Sequence, residues 1–348
     1  MLGRRALGIA FVGGLLGARA LHAQGPLARP VPFPPKLVDT RIVIAMDHRV
    51  GLPNLPLTVA QQLNFFREEG LDIELRDYAD TGQAMAAVLA KEAHVLSAPF
   101  TQLLNPALRE SMWQSFVVQA RAPQVVLGVS TRTLTGYRNG KDLRGRRVGC
   151  SVHDDTSRQL LSRVLQRDGV GEAEIQLAML ANHTAALQAF RAGQLDALCH
   201  ADPVITQLEQ SGELRVVADA RNLRGTHEVF GGPLPVGCLS APAGFVEQFP
   251  RLTQALTDAM VHALKWLQTA GPSDLIKTVP EGHFQGDRAL YLASVERSRE
   301  AWTVDGLMPK GGPEAAARAL GEASIGPVDL ARRFTNVFAA KAKERFRA

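Results

Sequence analysis

The sequence predicts an α/β fold of two lobes, each with a mostly parallel sheet flanked by helices. A strand-helix-strand-helix-strand order occupies residues 40–98, and the same order recurs at 142–200. Parallel strands require crossover connections of this kind, which are usually helices. The chain has 348 residues, which is long enough for two such units.

Apolar spacing defines the elements of the first unit. The β-branched run at 40–46 is typical of a buried strand. At 71–76 apolar and charged residues alternate, as in a strand with one solvent-facing side. Gly70 suits the end of a helix, because glycine readily adopts a left-handed backbone. The predicted elements are, in order, a strand at 40–46, a helix at 57–69, a strand at 71–76, a helix at 83–91 and a strand at 94–98.

The second unit repeats this order. Its first and third strands are expected to be neighbours, which would place Cys150 beside Cys199. That pair can be a disulfide or two buried thiols. With Cys238 the chain has three cysteines, so at least one thiol is free. The predicted elements are a strand at 142–151, a helix at 156–168, a strand at 173–180, a helix at 184–192 and a strand at 195–200.

Two segments are suited to passages between the units. One lies within 115–132, where Ala122 and Pro123 separate two strand-like runs, and the other is the glycine- and proline-rich turn at 231–235. The second lobe is therefore predicted to be inserted in the first. Lobe I comprises residues 39–122 and 236–348, with a helical C-terminal part, and lobe II comprises residues 123–235. A core-facing helical stripe is predicted at Leu252, Leu256, Met260, Leu264 and Leu267.

The first 23 residues have the order of a secretory signal peptide. Arg4 and Arg5 precede an apolar stretch, and small residues follow it. Export to the periplasm by the Sec or the Tat route is therefore predicted, with a proline-rich leader at 24–38. The net charge of +5 is spread along the chain without a basic run, which disfavours nucleic acid as a partner. We expect a soluble monomer.

Six segments then follow one another in a characteristic order: LPLTVAQQLNFFREEGLDIEL, DLRGRRVGCS, AFRAGQLDAL, ADPV, GGPLP and FVEQFPRLTQALTDAMVHALKWL. As an ordered set they resemble ABC-transporter solute-binding proteins of the SsuA/NMT1/THI5-like family, over roughly residues 40–270. The chain departs from the usual motif at Lys91 and His94, where glycine and aspartate are expected. The second copy keeps both, as Gly193 and Asp196.

The resemblance implies a two-lobed periplasmic-binding-protein fold of type II with a ligand cleft between the lobes. It also implies capture of a small organic molecule, sulfonate-, pyrimidine- or aromatic-acid-like, for an ABC permease and its ATPase. Neither catalysis nor a cofactor is expected. Two alternatives stay open: an enzyme on this fold, resembling thiamine-pyrimidine synthases but lacking their cysteine-rich iron motif, and a ligand-sensing module for a membrane receptor.

Ligands of open parallel sheets bind beside the carboxyl ends of the strands. That rule selects polar loops in both lobes. Among them, His48 and Arg49 offer positive charge to an acidic ligand, or belong to a solvated loop. The predicted ligand-binding residues are His48, Arg49, Asn54, Ser97, Phe100, Thr101, Ser151, Asp154, Thr156, Asp202 and Gly232.

Some of these residues have a structural alternative. Thr156 or its neighbours Asp155 and Ser157 can cap the helix that follows, Asp202 can cap the next helix, and Phe100 can belong to the core. Aspartates at a helix N-terminus argue against a bare oxyanion in this lobe and for a ligand with an amine, amide or hydroxyl group.

The sequence gives little support for a metal site or for a catalytic site. His153, Asp154, His200 and Asp202 would form a metal cluster if their strands were adjacent, but no ligand spacing of an established kind is present. The sequence also lacks a nucleophile elbow and a phosphate-binding loop. We therefore predict neither a metal site nor a catalytic residue.

Overall fold

A computed structural model describes residues 41–108, 111–152 and 155–348 of the chain. Two five-stranded sheets, one in each lobe, are covered by helices on their faces. The predicted two-lobed α/β fold is confirmed. The predicted signal peptide and leader lie outside the described residues. No helix in the described ranges is long and apolar enough to cross a bilayer.

The sheet of lobe I has the order β2-β1-β3-β10-β4. The first three of these run parallel, and β10 is antiparallel to both β3 and β4. Its strands are β1 (Ile42–Met46), β2 (Ile73–Asp77), β3 (Val95–Ala98), β4 (Trp113–Ala120) and β10 (Val236–Pro242).

The sheet of lobe II has the matching order β7-β6-β8-β5-β9. Here β5 is the antiparallel strand, pairing with β8 and β9. In each lobe the antiparallel strand is therefore the one by which the chain arrives from the other lobe. The strands are β5 (Val125–Ser130), β6 (Arg147–Ser151), β7 (Gln176–Leu180), β8 (Ala197–Ala201) and β9 (Leu214–Asp219).

The helices connect the parallel strands and form the C-terminal part. They are α1 (Leu55–Gln62), α2 (Phe65–Glu68), α3 (Thr81–Leu89), α4 (Asp155–Arg167), α5 (His183–Arg191), α6 (Val204–Gln210), α7 (Leu223–Phe230), α8 (Ala243–Gln248), α9 (Pro250–Thr269), α10 (Pro272–Thr278), α11 (Arg288–Ser298), α12 (Gly312–Leu320), α13 (Glu322–Ile325) and α14 (Val337–Phe346).

The C-terminal helices pack mainly on lobe I. All five residues of the predicted stripe on α9 are buried, and burial of each large aliphatic side chain stabilises the fold by about 2 kcal/mol. Trp302 and Phe334 form isolated bridges to β4, which cover this edge strand. Helices α11 and α12 also contact helices of lobe II, so the C-terminal part touches both lobes.

The single helix predicted at 57–69 is wrong, because the chain breaks into α1 and α2. Asn64 between them has a left-handed backbone (φ +62°), a conformation that asparagine tolerates better than most residues. Gly70 has φ +76°, as expected for the residue that ends the helix.

The two departures from the family motif keep the geometry of the second copy. Lys91 has φ +62° and Gly193 has φ +69°, each directly after a helix end. The Asp196 carboxylate accepts a hydrogen bond from the Arg147 N–H (3.0 Å), and His94 Nδ1 accepts one from the Val43 N–H (3.0 Å). His94 thus fixes the start of β1 as Asp196 fixes the start of β6.

All three cysteines are buried, and none of them forms a disulfide within the described part of the chain. Cys150 and Cys199 are register partners on β6 and β8, so the expected proximity is confirmed. The Cys199 thiol donates to the Ser157 carbonyl (2.9 Å).

The left-handed backbone at Lys91 is strained for a residue with a side chain, so we expect Lys91→Gly to stabilise the protein. Relief of about 1–2 kcal/mol of strain is partly offset by the flexibility of glycine in the unfolded chain, which leaves a gain below about 1 kcal/mol. The matched exchange Gly193→Lys introduces the same strain with the same offset and should destabilise by a similar amount, below about 1 kcal/mol. Urea unfolding measures both, and a loss of stability in Lys91→Gly would contradict the expectation.

Candidate functional site

A cavity of about 110 Å³ lies between the two lobes. This is the same order as the cavity of about 150 Å³ that holds benzene in an engineered protein core. Lobe I contributes Asp47, His48, Asn54, Thr81, Ser97 and Gln102 to its polar lining, and lobe II contributes Ser151, Asp155, Thr156, His183, His200 and Asp202. Pro123, Gln124, Val236 and Gly237 line it where the chain crosses between the lobes.

The sheets determine this position. Residues at or just after the ends of β1, β3, β6 and β8 all face the cavity, because parallel strands bring their carboxyl ends to one edge of a sheet. Helix α5 follows β7 and begins with His183, and the Asn182 side chain caps it by accepting from the Ala185 N–H (2.9 Å). That cap fixes the first turn of α5 at the cavity wall.

A chain of hydrogen bonds fixes the lobe I wall. The Gln119 amide donates to Ser97 Oγ (2.9 Å), and Ser97 Oγ donates to Asn54 Oδ1 (2.8 Å). The Asn54 amide in turn donates to the His48 carbonyl (3.0 Å), which holds the loop after β1. Gln119 also donates to the Gly237 carbonyl, so the chain of bonds reaches the returning crossover.

Asp47 brings a mostly buried carboxyl group to this wall. Burial raises its pKa, and the hydrogen bond from the Thr81 hydroxyl opposes that shift. Asp155 of lobe II is close enough to raise the pKa of Asp47 further by charge repulsion. The carboxyl group of lobe II therefore acts on that of lobe I across the cavity.

Three histidines meet in the cavity. The His48 ring lies 6.0 Å from the His183 ring, and the His183 ring lies 5.2 Å from the His200 ring, edge to face. Burial lowers the pKa of His200 to about 4 and also lowers the pKa of His183. Both rings are therefore neutral at neutral pH.

Several contacts join the lobes around the cavity. Gln102 of lobe I donates to Asp155 Oδ2 of lobe II (3.0 Å), and His183 Nδ1 lies 3.1 Å from Gln285 Oε1 of the C-terminal part. Further out, Arg297 on α11 pairs with Glu209 on α6 (2.6 Å). These contacts stabilise the arrangement of the two lobes around the cavity.

Asp202 lines the cavity, yet its polar partners are structural. Its Oδ1 accepts from the Thr206 N–H (2.8 Å), and its Oδ2 lies 3.4 Å from Arg221 Nη1. Arg221 is itself buried and pairs with Asp219 (2.6 Å). Burial raises the pKa of Asp202 and Arg221 opposes that shift. The helix-capping alternative therefore accounts for this residue.

The structure brings six of the predicted residues to the cavity, namely His48, Asn54, Ser97, Ser151, Thr156 and Asp202. Asp154 and His153 lie outside the described residues. The remaining predicted residues lie elsewhere, for reasons that their contacts explain.

Arg49, Phe100, Thr101 and Gly232 are not part of the cavity lining. The Arg49 guanidinium pairs with Asp77 (3.1 Å) and donates to the Leu75 carbonyl, so it supplies no charge to the cavity. Phe100 is fully buried in the core, and Thr101 lines a separate surface hollow. Gly232 packs against α12, where an added Cβ would lie 3.4 Å from the Ala315 Cβ.

Sequence reasoning missed His183, Gln124, Gln102 and Thr81. The strand-end rule would have found His183 if it had been applied to β7 as well as to β6 and β8. Gln124 has a left-handed backbone (φ +59°) and lies directly after the proline of the crossover, a signal too weak to reveal the residue alone.

The metal cluster considered from the sequence has no counterpart in the described part of the chain, where no group of three or more His, Cys, Asp or Glu side chains is arranged to hold a metal ion. His200 and Asp202 do share the cavity, but Asp202 is engaged by Arg221.

Replacing Arg221 should strongly destabilise lobe II. Arg221→Met leaves the buried Asp202 carboxylate unpaired, a change that typically costs about 3–5 kcal/mol. Arg224→Met removes only the exposed pair with Glu228 on α7 and should cost less than about 0.5 kcal/mol. Chemical unfolding of both variants measures the difference, and equal losses would contradict a structural role for Arg221.

The buried His200 should make stability depend on pH. Its pKa is about 4 in the folded protein against an ordinary value of 6.5. Between these values the unfolded chain binds a proton that the folded chain excludes, so the free energy of unfolding falls as the pH falls. The loss reaches about 3 kcal/mol near pH 4 and is absent above pH 6.5. The lowered pKa of His183 acts in the same direction.

The raised pKa values of Asp47 and Asp202 act in the opposite direction. The contribution of His200 is therefore measured as the difference between the wild-type protein and a His200 variant. His200→Asn retains a side-chain donor near the Ala201 carbonyl and removes the titrating ring. Urea unfolding at several pH values should show a shallower loss below pH 6.5 for this variant, and parallel curves would contradict the assignment.

Comparison with known proteins places the chain in a family. A family model described as NMT1/THI5 like matches residues 54–267. A solved protein from Bordetella bronchiseptica RB50 is 35% identical with a TM-score of 0.79, over 90% of this chain and 99% of that one. No curated protein matched the sequence.

More distant structures share the fold. The alkanesulfonate-binding protein SsuA from Xanthomonas axonopodis pv. citri, solved with MOPS, is 19% identical with a TM-score of 0.63, over 85% of this chain and 98% of that one. The desulfurization enzyme DszB is 17% identical with a TM-score of 0.59, over 88% and 100%. The family match over most of the described chain and the 35% identical relative lead to one conclusion: this protein belongs to the NMT1/THI5-like family.

Proposed function

We propose that the protein is a solute-binding protein that captures a small organic molecule in the cavity between its lobes and delivers it to an ABC permease and its ATPase. The observation that carries the proposal is the cavity itself, because both lobes and both crossovers contribute to its lining. The SsuA and DszB structures share the fold, and SsuA is an alkanesulfonate-binding protein whereas DszB is a desulfurization enzyme.

Binding rather than catalysis is favoured by the groups in the cavity. Cysteine, the strongest nucleophile among ordinary side chains, is absent from the lining formed by the described residues, and all three cysteines are buried in strands. The neutral His200 is held by the Ala201 carbonyl and has no hydroxyl or thiol nucleophile among its described hydrogen-bond partners.

Ligand capture would operate by lobe closure. Lobe I (39–122 and 236–348) and lobe II (123–235) would rotate about the two crossovers, and a ligand that contacts both would stabilise the closed state. Export by the N-terminal signal segment would place the protein in the periplasm, beside the permease.

A thermal-shift screen of residues 24–348 tests the proposal. A bound ligand at one hundred times its dissociation constant should add roughly 2.7 kcal/mol of stability. The panel contains sulfonates, nitrate, pyrimidines, aromatic carboxylates, amines and divalent metals. Mass spectrometry after incubation shows whether the compound is recovered unchanged, and conversion to a product would favour the enzyme alternative.

The contact between Gln102 and Asp155 should matter for affinity. Gln102→Ala removes a hydrogen bond between the lobes. If ligand binding closes the lobes and opening would break this bond, ligand affinity should fall by about fivefold, equivalent to the roughly 1 kcal/mol of one such bond. Gln166→Ala, which alters an exposed residue of α4 away from the cavity, should leave affinity unchanged. Calorimetry with the hit from the screen measures both, and equal affinities would contradict closure through this contact.

A further inference from the structure

Carboxyl groups from both lobes line the cavity. The described lining contains Asp47, Asp155 and Asp202 but neither lysine nor arginine, and Asp202 is already paired with the buried Arg221. Among the described residues, Thr81 donates a hydrogen bond to Asp47 and Gln102 donates one to Asp155, and both of these side chains are neutral. Asp47 is mostly buried whereas Asp155 is exposed, so the Asp47 carboxylate in particular is costly unless a cation accompanies it.

The unsatisfied polar atoms of the cavity lining favour a ligand that donates hydrogen bonds. Gln124 Oε1 and His200 Nε2 belong to buried lining residues and lack a hydrogen-bond partner in the described part of the chain. The Gln124 oxygen is an acceptor. His200 Nδ1 lies 3.1 Å from the Ala201 carbonyl and therefore carries the ring proton, which leaves Nε2 as an acceptor too.

The walls between these polar groups are apolar and narrow. Leu52, Pro53, Pro99, Pro123 and Val236 line the cavity, and the rings of two histidines flank it. Such walls favour a compact, flat apolar body, while the acceptors favour a head group that donates hydrogen bonds.

From these observations we infer that the ligand is an organic cation, with an ammonium or amidinium group held between Asp47 of lobe I and Asp155 of lobe II. The inference rests on the proposed binding function and specifies its ligand class. Two carboxylates brought together by the lobes repel each other, whereas a cation between them attracts both. Closure is thereby coupled to the charge of the ligand.

Three probes of nearly equal shape test the charge preference. Benzamidine is a cation with N–H donors, benzamide is a neutral donor and benzoate is an anion without donors. Calorimetry with residues 24–348 at neutral pH should show benzamidine binding at least about tenfold more tightly than benzoate, with benzamide between them.

Variants of the two aspartates test where the cationic group binds. Asp47→Asn and Asp155→Asn should each weaken benzamidine binding by about tenfold and leave benzamide binding nearly unchanged, because each removes one charge without changing shape. Glu92→Gln removes an exposed charge of lobe I outside the cavity and should change neither affinity. Melting curves establish that the variants are folded.

Each alternative result has a distinct meaning. Benzoate binding as tightly as benzamidine would overturn the ligand class and still support a binding protein. Benzamidine binding that both aspartate variants leave intact would overturn the assigned position. If none of the probes binds at concentrations up to about 10 mM, the ligand class is overturned, and the wider panel alone decides the proposed function. A response to divalent metal in place of organic cations would likewise overturn it.

Discussion

Strand β10 returns from lobe II and inserts between β3 and β4, pairing antiparallel with both. The sheet of lobe I is therefore complete only after the chain has passed through lobe II and returned. Gly237 at the start of β10 has φ +61°, and a Cβ there would lie 2.8 Å from the Pro53 carbonyl oxygen. This close approach joins the crossover to the loop that carries His48 and Asn54, so the cavity wall and the connection between lobes are one piece of structure.

The polar groups around the cavity divide into two kinds. Asn54, Ser97 and Asp202 are satisfied by protein partners, which makes them a rigid frame. Asp47 and His200 are less well satisfied, since burial shifts both of their pKa values towards the uncharged form. A rigid frame of satisfied polar groups that surrounds unsatisfied ones is typical of a ligand-binding site. An unpaired buried group costs stability, and a ligand that pairs with it can restore that stability.

Local patterns predicted much of the fold and less of the site. Periodicity located the strands and helices, since burial of one face is imposed residue by residue along the chain. The helix break at Asn64 was not predicted, because one residue with a left-handed backbone leaves the apolar spacing unchanged. The orientation of Arg49 depends on Asp77 in the neighbouring strand, and the role of Gln124 depends on how the lobes meet. Neither is encoded in the spacing of nearby residues.

The two crossovers do not run separately. The Leu234 N–H donates to the Arg121 carbonyl (3.0 Å), and Val236 is the register partner of Ala120. Two connections that are hydrogen-bonded side by side resist twisting independently, so they behave as one flexible strap. A relative movement of the lobes would then have to bend both connections together, and the distance between two labels on opposite rims of the cleft would report it.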